Sequence, residues 1–151
     1  MDKIIIGDFY IQEYDESNKE HKATMILLSN QEDSIYRGDL SVLEADFKTA
    51  KEKGKKDAIY IAYLGDVPVG MVGGYSFFER FYLMYSILPE FRGHYYSSRL
   101  ALEYARYFFR EHPEIDAVYA AIDSSDLASI KNINKAGFQR LGDSDYILRR
   151  C

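Results

Sequence analysis

Tryptophan is absent from this 151-residue chain, cysteine occurs once, and proline and histidine occur three times each. The one cysteine is the last residue, Cys151, so an internal disulfide and a cysteine-based metal cluster are both excluded, and a reducing compartment fits that usage. A terminal thiol has nothing beside it to fix a base, which argues against a nucleophilic role. His21, His94 and His112 are dispersed without metal-ligand spacing, so no metal site is expected. Long apolar runs are missing too. The longest, "FYLMYSIL", is far too short to span a bilayer, and "MDKIIIGDFY" lacks the apolar core of a secretory signal. No membrane association and a cytoplasmic location are therefore expected. An excess of basic residues is also lacking. Nineteen Lys and Arg against twenty-four Asp and Glu give a net charge of −5, which disfavours a nucleic-acid partner held by broad phosphate neutralisation.

Fourteen tyrosines are the main positive bias. They are spread along the chain, which reads as core and cleft lining rather than a stacking platform. The length suits one domain, residues 1–151, with a sizeable core.

Along the chain, "IIIGDFYIQEY" reads as a strand and "EHKATMILLSN" as a helix. A second helix is predicted over "DLSVLEADFKTAKEKG", with Asp39 as its cap, Gly54 as its stop, and Leu40, Val42, Leu43, Ala45 and Phe47 on its apolar side. "AIYIAYL", the turn signal "GD" and "VPVGMVGGYSFF" predict a hairpin, in which Gly70, Gly73 and Gly74 mark a bulge or a close backbone approach. "RFYLMYSIL" is apolar at nearly every position and is expected mid-sheet, covered on both faces. A helix over about residues 98–110 carries Ala101, Ala105 and Phe108 on one face, with Leu100 and Tyr104 alongside. "AVYAAID", "SDLASIKNINKAG" and "FQRLGDSDYILRR" then read as a strand, a short helix ended by Gly137, and a closing strand pair around "GDSD". Hairpins followed by β-α-β-α-β imply an α/β domain with a mixed, mostly antiparallel central sheet flanked by helices.

The stretch "LPEFRGHYYSSRL" joins the central strand to the longest helix. Pro89 ends the strand pairing. The first N–H groups of the following helix lack internal partners and carry partial positive charge, so an anion, a pyrophosphate in particular, fits over the amides of Gly93, His94, Tyr95, Tyr96, Ser97 and Ser98, with Arg92 and His94 at its edge. The competing reading is a polar turn in which a serine caps the helix. Neither a Walker loop nor a dinucleotide fingerprint is present.

The sequence resembles the GNAT superfamily of acyl-CoA-dependent N-acetyltransferases. In that family a strand ending in Val-x-Pro runs into Arg-Gly-x-Gly-x-Gly/Ala and a helix. "ILPEFRGHYYSSRL" follows this layout, with Ile87 in the valine place and Pro89, Arg92 and Gly93 matching outright. Some thirty residues on, "DLASIKNINKAGF" matches the family's next motif at Ala128, Ser129, Lys135, Gly137 and Phe138, and the hairpin "GDVPVGMVGGY" precedes the loop as it does in the family. The resemblance covers about residues 58–150. It departs at Tyr95, where a glycine is usual; at Ser97, where glycine or alanine is usual; and at Asp126, in place of asparagine. Ile133 stands where a tyrosine often protonates the departing thiolate, and Phe81 roughly where many members carry a glutamate base.

The resemblance implies a GNAT-like fold and acetyl-CoA as co-substrate. It implies an amine acceptor, either a small molecule or a protein amino group, and allows a homodimer. The pyrophosphate would sit on Arg92–Ser98, and the pantetheine would pair with backbone around Ser86, Ile87 and Leu88, close to Asp126 and Ser129. Glu79, just before the central strand, is the candidate feeding a proton path. Tyr85, beside the thioester, is the candidate donor to the thiolate. Asp123 and Tyr146 sit at strand positions able to face the cleft. The alternative is a catalytically impaired module of the same fold that binds acyl-CoA or a protein partner.

Overall fold

The computed structural model describes residues 2–31 and 40–151. The elements run β1 (Ile4–Ile6), β2 (Phe9–Glu13), α1 (Lys19–Ser29), α2 (Leu40–Glu52), β3 (Ala58–Leu64), β4 (Val67–Phe77) and β5 (Arg80–Ile87). A 3₁₀ turn (Pro89–Phe91), α3 (Tyr96–Glu111), β6 (Ala117–Ala121), α4 (Leu127–Lys135), β7 (Gln139–Arg140) and β8 (Asp145–Arg149) follow. One eight-stranded sheet has the order β1-β2-β3-β4-β5-β6-β8-β7. Every neighbouring pair is antiparallel except β5–β6. This is the single α/β domain, with a mixed and mostly antiparallel sheet, that the sequence implies.

Period-two alternation along β5 divides the core. Phe81, Leu83 and Ile87 join Leu100, Ala101, Tyr104, Ala105 and Phe108 of α3 in one cluster. Met84 joins Met25 and Leu28 of α1 and Leu43 of α2 in another, which Leu88 at the strand's end extends. The predicted face of α3 is thus the observed one. The apolar side of α2 is narrower than expected. Leu43 and Ala50 are buried and Phe47 packs against that cluster, whereas Ala45 is exposed and Val42 is 48% exposed. The stripe i, i+4, i+7 faces the sheet, and the two remaining positions fall on its flanks. Asp39, read as the cap of α2, lies outside the described residues.

The first segment is two strands rather than one. Gly7 adopts φ +62 and turns β1 back onto β2, pairing Ile6 with Phe9. Farther on, the glycines of β4 serve close approach. A Cβ on Gly70 would lie 2.1 Å from the Ser86 carbonyl oxygen, and one on Gly73 would lie 2.0 Å from that of Ala58. The register shift falls beside them, where Ala62 pairs with Gly70 but Tyr63 pairs with Pro68.

One consequence of the topology positions everything below. β5 and β6 are bridged only at Tyr82 and Tyr119. That joined end is clasped by Arg80, whose guanidinium lies 4.5 Å from the Tyr119 ring centroid and 3.4 Å from Asp145 Oδ2. Beyond the bridge, β6 offers no strand pairing to the edge of β5 that runs toward Ser86 and Ile87.

Candidate active site

The 3₁₀ turn at Pro89–Phe91 carries the chain from β5 to α3 through two left-handed residues, Gly93 at φ +86 and Tyr95 at φ +59. A Cβ on Gly93 would meet nothing within 4 Å, so it is the backbone conformation, not space, that asks for glycine there. Tyr95 is the N-cap of α3 and makes no side-chain cap bond. By contrast, α1 is capped by Asn18, which accepts from the Glu20 and His21 amides, and α4 by Asp126, which accepts from the Ser129 amide. The sixteen-residue α3 therefore begins with amides that no capping side chain takes up. They open onto a cavity of about 440 Å³ lined by Arg92, Gly93, Tyr95, Tyr96 and Ser97, by Ser86 and Ile87 of β5, and by Asp126, Ser129 and Asn132. Left-handed turns, helix amides without a capping side chain and an arginine are the chemical features that suit an anion.

Arg92 donates through Nη2 to Gln31 Oε1, which ties the loop to the end of α1. The Tyr95 ring turns toward α4, 4.4 Å from Lys135 Nζ and 5.9 Å from Lys131 Nζ.

A second cavity, of about 520 Å³, lies between β5 and β6 beneath α1. Tyr85, Ser86, Asp126 and Ser129 line both cavities, so the two adjoin at the point where the strands part. Burial, reinforced by the Asp126 charge, pushes the Tyr85 phenol far above its ordinary range, so it is a neutral O–H donor. Asp126 Oδ2 accepts from Ser129 Oγ at 2.7 Å, and its amide donates to the Asp123 carbonyl at 3.0 Å. Asp123 Oδ1 accepts from Ser125 Oγ and N, bonds that hold its carboxyl below the usual carboxylate value.

Several sequence candidates stand elsewhere. Glu79 is exposed in the β4–β5 turn at φ +65 and lines neither cavity. Ser86 lies seven residues along the strand, about 24 Å away at the usual strand rise. Ser98 is buried, and its hydroxyl donates to the Asn132 carbonyl at 2.8 Å, joining α3 to α4. The Leu88 amide is occupied by the Val69 carbonyl at 2.8 Å. His94 is exposed beside Tyr96, and Tyr146 is buried; neither lines either of these two cavities. Phe81 stacks on Phe108 with centroids 4.0 Å apart, and Ile133 is buried in the core. Neither position offers a proton-transfer group. The sequence reading did not find Met25, Leu28, Met71 and Met84, which line the second cavity, nor the contact that Lys131 and Lys135 make with Tyr95. The two lysines stand at i, i+4 spacing on α4, a signal that was available.

The Acetyltransferase (GNAT) family model matches residues 19–138, and the chain belongs to this family. No curated protein matches its sequence. Among solved structures it is similar to the aminoglycoside acetyltransferase AAC(6')-Ib in complex with coenzyme A and kanamycin, at TM-score 0.72 and 17% identity over 94% of this chain and 95% of that one. An acetyl transferase from Salmonella typhimurium that modifies the N-terminal serine of a 50S ribosomal subunit protein superposes at TM-score 0.75, with 11% identity over 99% and 100% of the two chains. An acetyltransferase from Agrobacterium tumefaciens superposes at TM-score 0.76, with 13% identity over 100% and 95%. At such identities these likenesses establish the shared fold.

Proposed function

We propose that the chain is an N-acetyltransferase that moves the acetyl group of acetyl-CoA to a primary amine by direct attack in a ternary complex. The supporting observation is the continuity of the two cavities, one built on the free amides of α3 and the other in the gap between β5 and β6. The cofactor's pyrophosphate lies over the Gly93–Ser98 amides with Arg92 at its edge, as helix N-termini favour. The pantetheine amides run along the edge of β5 at Tyr85 and Ile87, where β6 supplies no strand pairing; Ser86, whose carbonyl lies against Gly70, faces β4. A backbone N–H on that edge faces the thioester oxygen and stabilises the charge that develops there.

The amine nitrogen forms its bond to the thioester carbon, and the C–S bond then breaks. The nitrogen gives up its proton to water beside Asp123 and Asp126, the carboxylates that line the second cavity. The thiolate takes a proton from the Tyr85 phenol, which substitutes for an acid at position 133 and is restored from solvent. Calorimetric titration with acetyl-CoA, with CoA and ATP as controls, tests the cofactor assignment. Saturable binding by both thioester and CoA, with ATP clearly weaker, is expected. CoA release on adding amines tests the chemistry. The impaired-module reading is favoured by one observation, the burial of Ile133, and predicts cofactor binding without CoA release for any amine.

A further inference from the structure

The second cavity is two-ended. Its body is Met25 and Leu28 of α1, Leu43 of α2, Met71 of β4 and Met84 of β5, each no more than 6% exposed. All three internal methionines of the chain line this one space, which gives it an adaptable apolar wall. Tyr75, stacked on Tyr82 with centroids 5.6 Å apart, adds an aromatic side. The other end, where the cofactor cavity begins, is polar and acidic, with Asp123 and Asp126 on one tight turn. No Lys, Arg or His lines the cavity among the described residues.

Resting on the acetyltransferase reading, we propose that the acceptor is a small alkyl or arylalkyl primary amine without a carboxylate. Its ammonium is drawn to the Asp123–Asp126 turn and gives one proton to water there before the neutral amine attacks, and its apolar body lies among the methionines. An amino acid would bring its carboxylate against two like charges with no cation to meet it, at a cost that a free amine avoids. An aminosugar would leave its hydroxyls desolvated against methionine and leucine. The volume, about 520 Å³, is ordinary for a small-molecule site.

The test is a matched panel of acceptors at saturating acetyl-CoA: 2-phenylethylamine, phenylalanine and glucosamine, with CoA release and the mass of the acetylated product as readouts. We expect kcat/KM for 2-phenylethylamine to exceed that of each of the others by about a hundredfold or more. Asp123→Asn keeps the oxygen that accepts from Ser125 and removes only the charge. It should raise KM for 2-phenylethylamine by about three- to tenfold and narrow the gap to phenylalanine. Equal or preferred turnover of phenylalanine or glucosamine would overturn the proposal while leaving the acetyltransferase reading intact. Calorimetry with 2-phenylethylamine alone and with CoA separates the two assignments. Amine binding without turnover supports the site and counts against the reaction. No binding in either state overturns the site, whatever acetyl-CoA does in its own titration.

Discussion

Lys135 holds its ammonium 4.4 Å from the centroid of the Tyr95 ring, at a residue whose backbone is left-handed. The ring thus lies against the lysines of α4, at a residue that also lines the first cavity. A non-glycine residue in this conformation costs about 1–2 kcal/mol, and an exposed cation–π contact returns about 0.5–1 kcal/mol. Tyr95→Gly relieves the first and loses the second. Its melting behaviour should therefore stay close to wild type, and its acetyl-CoA affinity should be unchanged or higher. Tyr95→Ala keeps the strain and loses the ring, so it should melt lower than either. A large drop in cofactor affinity for Tyr95→Gly in calorimetry would mean that the ring itself touches the cofactor.

Arg92→Glu reverses the charge at the mouth of the anion site. It should weaken CoA binding by about 2 kcal/mol or more, roughly thirtyfold, because charge-assisted hydrogen bonds are the strong ones. Unchanged affinity by calorimetry would remove the pyrophosphate from this loop.

Tyr85→Phe deletes one oxygen at the junction of the cavities. A loss of about ten- to a hundredfold in kcat with little change in KM is expected, as for removal of a proton donor. Because burial raises the Tyr85 phenol, the wild-type rate should show no loss from its ionisation up to about pH 10. An equal loss in kcat and rise in KM would point to packing instead.

His21 is fully buried. Its Nδ1 accepts from the Asp15 amide at 3.1 Å, which leaves Nε2–H to donate to Gln12 Oε1 at 3.2 Å. Burial holds the imidazole below its ordinary 6.5, against the upward pull of Asp15 and Glu20. The unfolded chain therefore takes up the proton first. Stability is full above about pH 6.5 and is lost as pH falls below it. Melting temperatures at pH 7.5 and 5.5 should show this fall, and His21→Gln, which cannot take up a proton, should flatten it. A variant with the same pH slope as wild type would place the acid sensitivity elsewhere.

Gly73→Ala puts a methyl group 2.0 Å from the Ala58 carbonyl oxygen, one pair in from the end of the β3–β4 ladder, where Gly73 pairs with Ile59. Neither backbone can yield without breaking that ladder. A loss of about 3 kcal/mol or more is expected by denaturant titration. A loss under about 1 kcal/mol would show that the two strands are free to separate.

Most of the sheet was legible because its strands carry their own period and punctuation. The Gly65-Asp66 turn was read as a hairpin, yet the same dipeptide at Gly7-Asp8 was passed over, because three isoleucines in a row masked the break. The anion loop was legible from Pro89, Arg92 and Gly93, since a strand end and a helix start are local events. The conformation of Tyr95 was open to reasoning, but its partners on α4 were not, because they come from a packing of helices about forty residues apart in sequence. Glu79 and Ser98 show the limit. One is close in sequence to the central strand but at its far end, and the other is a small polar residue whose hydroxyl had already been claimed by a neighbouring helix. The second cavity was invisible for the same reason: Met25, Met71 and Met84 converge only when α1 is laid across the sheet.

The single bridge between Tyr82 and Tyr119 makes the sheet behave as two plates riveted at one corner. On the proposed reading, the pantetheine between the free edges is, while it stays, a ninth strand, and the two plates are then sewn together by a component the gene does not encode. The rigidity of the loaded protein is thus borrowed. Amide exchange at Tyr85 and Ile87 should slow when that strand is in place, and each release of product must unpick the seam before another molecule can be stitched in.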